Sequence, residues 1–598
     1  MSRISSFGTF TMARLGINAA QKAIMVTGNN ISNIDTEGYT RQVVDQESWF
    51  TGRSDRYLSK MDFRIGNGAQ VVGVNQLRDR YLDIRYRNEQ ASVGAMEAKS
   101  EGLADIAMRL DEVGRGDDDE GIIESMFNDI VTQMENLTTQ GAGHDEFDTL
   151  FRSATETMCN QLNGTARKLE ELRMDHIDKF HEDIDDVNSI LVRIRDLNVA
   201  IRRNQVYGGN SLEQMDARNN LIDELSKYIR VNVSYEQEDL GANYSVEKLV
   251  ITTSDQPERT LVDGIYSTRL SIRKNDEGEE SENFDLNLGI LKDEYGRALE
   301  QTDVSSVGSY ATQEEAEEAL AGMESGPTTD PDGRKVENSY AVVEQDGAYV
   351  VQKTSTFKGA VELNDTELYG GLQAEREFLT EKGVFATDED KAHDQDATVK
   401  RGIQFYQKAL DVFANKFAVI VNTCNTEAGG QILLSASNVI DENMGINASN
   451  ITIAKDWLNH ARRVIIDENQ ENQSTANNAL RHMLVELTKE HSYTVDAEQG
   501  PDSAATTEKT FFIGTFQEMF TTHIAGTLAN DQRATNTMLD NYNALSDEIY
   551  VDRDGVHGVD LNDEVMNMTQ YQKAYQAACR LMTTFDSLLD KLINGTAI

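Results

Sequence analysis

Disulfides cannot organise this chain. Its three cysteines, Cys159, Cys424 and Cys579, are widely spaced and odd in number, which gives neither a disulfide framework nor a zinc site. Cys424 and Cys579 fall at apolar positions of helical patterns, where a small buried hydrophobe is expected. Four prolines in 598 residues leave room for long unbroken helices. No apolar run approaches the roughly 18–20 residues that cross a bilayer, so no membrane insertion is expected. Positive charge is scarce: 56 Lys and Arg stand against 102 Asp and Glu, a net charge of −46. Such a chain repels phosphate backbones, which argues against nucleic acid as a partner. It also repels its own copies, so any assembly must overcome or screen that repulsion. The acidity suits a saline habitat or an exposed outer surface equally well.

Ready-made chemistry is missing too. There is no GxxxxGK[ST], no GxGxxG after a strand and no GxSxG elbow. His181-Glu182 begins a zinc-protease pattern, but position 185 is Asp, and His176 lies five residues from His181, off a common helix face. Both read as solvated histidines on a charged helix. "DRDGVHGVDLNDE", from Asp552, has the alternation of a calcium loop, but its Gly comes fourth and Val556 takes a ligand position. A turn followed by a helix start is the better reading. The acidic run Asp117 to Glu120 reads as a solvated loop. No catalytic residue, metal or cofactor is assigned, and an enzyme is not expected.

What is present is helical periodicity. The length predicts two to four domains, and 39% apolar residues supply their cores. Phe10, Ala13, Ile17, Ala20, Ile24, Thr27, Ile31 and Ile34 step by threes and fours, the spacing of a coiled-coil seam. Met568, Tyr571, Tyr575, Ala578, Met582, Phe585, Leu589 and Leu592 step the same way near the other end. Asp560 can accept from the first-turn N–H groups of that helix, and Asp563 and Glu564 suit its macrodipole. A lone helix buries nothing, so two such stripes predict two halves of one helical hairpin. Further helices are expected over 121–137, 147–172, 177–201, 216–229, 403–424 and 512–549. From Val231 to about Tyr369 the pattern shortens to alternating runs with turn residues, hence strands, with a helix at 313–323. Residues 429–501 begin with a glycine turn and strand-like pieces, then a helix at 473–490. Val71 to Leu77 is a candidate hairpin strand.

The expected fold is therefore mainly α, a nested multidomain chain with β-rich inserts and its terminal helices paired as a coiled-coil-like core. The expected partition is 1–60 with 556–598 as the terminal helical core and 61–230 with 370–428 and 508–555 as a long-helix bundle. Residues 231–369 form a β-rich outer domain and 429–507 a second small insert. The start of the chain, Met1 to Ile34, holds Arg3, Arg14 and Lys22 with no acidic residue. It lacks the apolar stretch of a cleavable secretion signal, although a basic amphipathic start also resembles a transit peptide.

The stretch "INAAQKAIMVTGNNISNIDTEGYTRQ" resembles the N-terminal region of bacterial flagellar axial proteins, the rod, hook and hook-associated proteins. The joint motif is Asn29, Asn30, Ile31, Ser32, Asn33, Gly38, Tyr39, Thr40 and Arg41, and its "GYTRQ" continuation is similar to that of the hook-associated protein 1 branch. "GNGAQVVGVNQLRDRYLDIRYR", "DARNNLIDELSKYI", "GGLQAEREFL" and the segment Gly558 to Asn594 resemble the same branch in order. The resemblance implies a structural subunit at the hook–filament junction, with no enzymatic role. Such a subunit leaves the cell through the flagellar type III export apparatus without a cleavable signal and is extracellular, in the flagellum. It assembles with its own copies, hook protein and a second junction protein. An export chaperone would take the C-terminal seam from Met568 to Leu592 by helix-in-groove capture. A hook or distal rod subunit is the alternative within the family, and a secreted coiled-coil adhesin or effector the alternative outside it. The segments around 241–363 and 429–501 carry no resemblance.

Overall fold

The computed structural model describes residues 6–49, 68–110, 121–140, 145–240, 245–254, 258–274, 278–299, 302–310, 312–321, 323, 326–329, 335–345, 348–357, 361–363, 368–437, 445–465, 473–495 and 509–595. The acidic run Asp117 to Glu120 and the expected boundaries at 60/61 and 507/508 lie outside them.

Helix α1 (Ser6–Ser32) stops at a turn in which Gly38 takes φ +71°, a conformation open to glycine. Strands β1 (Gln42–Ser48) and β2 (Ala69–Gln76) then pair antiparallel, with a bulge between Asp45 and Gln46. The hairpin runs back along α1, since a β-carbon at Gly68 would meet Met12. The long helices α2 (Arg80–Leu110), α3 (Ile122–Gln140), α4 (Asp145–Val206) and α5 (Leu212–Tyr228) follow.

Two helices were expected where α4 runs unbroken for 62 residues. No Gly or Pro separates Leu172 from Ile177, and the buried positions continue in steps of three and four through Leu169, Leu172, His176 and Phe180. The reading of His176 as solvated is corrected by the same geometry. It is buried, its Nδ1 lies 2.5 Å from Glu375 and its Nε2 3.3 Å from Asp105, while His181 sits half-exposed beside Glu280. Its buried place follows from the α4 stripe, which position 176 shares.

The β-rich part holds three antiparallel sheets. One is the meander β3 (Val231–Asp239), β4 (Ser245–Thr253), β5 (Thr260–Asp263) and β6 (Tyr266–Ser267). Strands β7 (Leu270–Ile272) and β8 (Leu286–Leu288) pair with β13 (Val361–Glu362). The third has the order β10-β11-β12-β9, from β9 (Thr302–Tyr310), β10 (Gly326–Thr329), β11 (Lys335–Gln345) and β12 (Ala348–Phe357), with helix α6 (Gln313–Ala321) laid on it.

The chain returns through α7 (Gly371–Thr380), α8 (Asp388–His393) and α9 (Ile403–Glu427). Strands β14 (Leu434–Ala436) and β15 (Ile451–Ile453), helices α10 (Lys455–Leu458) and α11 (Gln473–Thr488), and strands β16 (His491–Val495) and β17 (Lys509–Gly514) come next. The helix expected from Phe512 begins later. Phe512 to Gly514 finish β17, and Thr515 caps α12 (Phe516–Glu518) by exchanging hydrogen bonds with Glu518. A π turn over Met519–Ala525 leads into α13 (Gly526–His557). Asp552 to Val556, expected in a turn, lie in the last turns of α13, which ends at His557, and the chain becomes extended only at Gly558. Asp560 then caps α14 (Leu561–Gly595), accepting from Asn562 at 2.7 Å and Asp563 at 3.2 Å.

Two hydrophobic cores share α4. Its first half packs with the end of α2, with α3, α9, α11 and α12; Leu434 and Trp457 enter this core too. Its second half, Phe180 to Ile194, packs with α5, α7 and strands β3, β4, β5, β7 and β8. Neither core contains a residue of α1 or α14. The architecture is mainly α with small sheets, and the two terminal helices pack on each other.

Candidate functional site

The terminal helices pair antiparallel. The Phe10 and Phe585 rings lie 6.2 Å apart, a β-carbon at Gly16 would lie 3.6 Å from Ala578, and Gly28 faces Met568. In α1, Ala13 and Ala20 are buried, and Phe10, Ile17, Ile24 and Ile31 are half-buried. Ile34, proposed for the same seam, falls after the helix ends and is exposed. In α14, Met568, Tyr571, Ala578, Met582, Phe585 and Leu589 are half-covered, whereas Tyr575 and Leu592 are exposed. Cys579 is half-exposed and not buried, because among the described residues α14 packs chiefly on α1. Val565, Met566, Leu581, Leu588 and Ile593 leave large side chains in solvent on the same helix.

Below this pair lies a polar joint. Asn30 is 1% exposed, and its amide both donates to the Gln42 carbonyl (2.9 Å) and accepts from the Gln42 N–H (3.0 Å). The Tyr39 hydroxyl donates to the same Asn30 oxygen at 2.9 Å. Burial, together with Glu213, Asp216 and Glu564, pushes that phenol up to about 12, so it stays protonated and donating. Asn29 reaches Tyr39 at 3.3 Å, and Asn33 donates to the Asn29 carbonyl at 2.9 Å. Thr40 is buried, and its N–H donates to Asp216 at 3.2 Å. Ser32 only closes on its own helix, donating to Gly28. Gly38 abuts Asn220, which donates to the Glu37 carbonyl at 3.2 Å.

Four elements meet here. Arg41 binds Glu564 of α14 at 2.8 Å through its side chain, while its N–H donates to the last carbonyl of α13, that of His557, at 2.8 Å. The Asp79 N–H, just before α2, donates to His557 Nε2 at 2.8 Å, so this ring nitrogen is an acceptor. Burial lowers His557 to about 4, in keeping with a neutral ring. Burial also raises Asp216 to about 6, against the hydrogen bonds from Thr40. Asp83 goes the other way: burial raises it, but the Arg78 fork at 2.6 and 3.1 Å outweighs that and holds it low. One turn further, Asp223 of α5 takes Arg87 of α2 at 2.7 Å and Arg553 of α13 at 2.6 Å. Arg553 lies over the Tyr86 ring at 4.0 Å.

The sequence pattern missed Glu213, Asp216, His557 and Glu564 as members of the joint. Nothing local marks them, since their hydrogen-bond partners in the joint lie between 171 and 523 residues away. The arrangement positions helices and holds no nucleophile with a base. Among the described residues no group of three His, Cys, Asp or Glu side chains could hold a metal ion, and no helix is long and apolar enough to cross a membrane.

Residues 109–317 match the model of the flagellar hook-associated protein FlgK helical domain. Residues 12–40 match that of the flagella basal body rod protein, and 557–595 that of the flagellar basal body rod FlgEFG protein C-terminal region. The chain is 24% identical over 597 residues to flagellar hook-associated protein 1 of Bacillus subtilis, covering 99% of both. It is 22% identical over 609 residues to the Salmonella typhimurium protein of that name, covering 97% of this chain and 98% of the relative. The chain is thus similar over nearly its whole length to flagellar hook-associated protein 1. It is a structural axial protein of the flagellum. The solved FlgK from Burkholderia pseudomallei aligns over 59% of this chain and 46% of its own at 15% identity, with a TM-score of 0.35. Within the hook-associated protein 1 family match, the two rod-type segments coincide with α1 and α14 and their links to the joint.

Proposed function

We propose that this chain is the subunit that joins hook to filament, exported by the flagellar type III system and assembled through its terminal helices. The observation that carries this reading is the one-sided packing of α14. It lies on α1, yet Met566, Leu588, Leu592 and Ile593 remain more than half exposed. Apolar surface of that extent asks for a further partner. Copies of the chain, hook protein and a second junction protein would cover it in the flagellum. An export chaperone would cover the Met568–Leu592 face before export. The joint motif would then transmit load between the wall of paired helices and the outer parts. The fourfold division into terminal core, helix bundle, β-rich outer domain (231–369) and small insert (429–507) is part of the same proposal.

A cell lacking this protein should build hooks and shed unpolymerised flagellin into the medium. Full filaments on such cells would sink the reading. A hook or distal rod subunit is the second reading, favoured by the rod-type matches at both ends. Copies per flagellum separate the two, because a hook uses many more subunits than a junction.

A further inference from the structure

The outer face of α4 departs from the acidity of the rest. Two contiguous depressions, of about 400 and 660 Å³, run between the last third of α4 and the loops around Arg269 and Asp293. Arg193 and Arg203 of α4 line them, with Arg269 and Lys292 from the facing loops. All four are exposed, and none has an ion-pair partner among the described residues. Against them stand the exposed carboxylates of Asp185 and Glu294, while Asp293 is taken by Arg297 at 2.7 Å. Tyr207 and Tyr295 stand exposed on the rim. In a chain of net charge −46, a furrow of uncommitted cations needs an anionic occupant.

The same chain presents one. Helix α6 buries Ala316 on its sheet and turns Glu314, Glu315, Glu317 and Glu318 outward, all exposed. None has a cationic partner among the described residues; Glu317 meets only Gln313 of its own helix. Within one copy α6 packs on its own sheet, against β9, β11 and β12. We propose that α6 of one copy docks on the basic furrow of a second copy. The contact rests on the junction reading above and adds the surface by which neighbours meet outside the terminal helices. It is heterologous, with different patches on the two sides, so repetition generates a ring or a helical array. Opposite charges at this one place offset the repulsion that two such acidic chains meet elsewhere.

A double-cysteine variant, Lys292→Cys with Glu318→Cys, tests the contact in flagella isolated from cells that make it, using a bismaleimide crosslinker. A ladder of multimers is expected, with monomer alone from each single variant. Monomer alone from the double variant, present in hook–filament structures at wild-type level, overturns the docking but leaves the junction reading intact. Absence of the wild-type chain from those structures overturns both. Charge reversal provides the control for misassembly. Glu314, Glu315, Glu317 and Glu318 changed to Lys should reduce filament number severalfold. Reversal of Arg193, Arg203, Arg269 and Lys292 to Glu in the same chain should restore it. No loss on the first reversal, or no recovery on the second, contradicts the contact.

Discussion

The buried Asn30 side chain fastens the joint together. Its amide pairs with both backbone groups of Gln42, closing α1 onto β1, and it also accepts from Tyr39. Asn30→Ala strands a buried N–H and carbonyl, and should lower stability by about 1–3 kcal/mol in thermal or denaturant unfolding. His557 and Asp216 give a pH signature. The His557 value is depressed to about 4, below the ordinary 6.5, so its contribution is whole above pH 6.5 and is lost as pH falls toward 4. Asp216, raised to about 6, has the opposite sign, since burying its charge costs stability above pH 6 and protonation relieves that cost on acidification. His557→Gln should therefore lose less stability than wild type between pH 6.5 and 4, and Asp216→Asn should lose more. The slopes should differ by up to about 1.4 kcal/mol per pH unit. Equal slopes in all three would remove these two groups from the linkage. Asn29, Asn30 and the glycine at 38 stood out in the sequence because turn chemistry is local. Their partners did not, because Asp216 and Glu564 sit on ordinary helix starts and become joint residues only when four elements converge.

At the scale of elements, periodicity served where one stripe meets one core, as in α9. It misled where two helices were read in place of one, as in α4, and where a strand ended just before a helix, as at Phe512. β1, "QVVDQES", has too little alternation to announce a strand and is defined by pairing with β2. Two element contacts are open to test. Gly94 lets α2 cross the end of α5, and a β-carbon there would run into the Lys227 carbonyl. Gly94→Ala should cost about 1–3 kcal/mol, measured by unfolding. His176 ties α4 to Glu375 of α7 and Asp105 of α2. Burial alone would lower its pKa, but the bond and charge of Glu375 outweigh burial and raise it. This contribution is present below the ordinary value and is lost as pH rises through the raised one. Glu375→Gln should cost about 3 kcal/mol at pH 6, below the ordinary histidine value, and less as pH rises through the raised one. A cost independent of pH would show that the pair is not ionic.

For the whole molecule, the nesting of termini around the inserts was readable because both seams carry the same step and lie at opposite ends of the chain. The sharing of α4 between two cores was not readable, since a continuous stripe does not say which neighbours it meets. Neither core draws on α14, so the body should fold without it. The central claim is that the terminal helices are the assembly device and the remainder is the body they carry. Deleting Met568 to Ile598 tests it most directly, with filaments counted on cells that make only the truncated chain and unfolding of the purified chain followed alongside. Hooks without filaments, flagellin in the medium and a cooperative unfolding transition of the body close to that of the full chain are predicted. Normal swimming filaments on those cells would contradict the account.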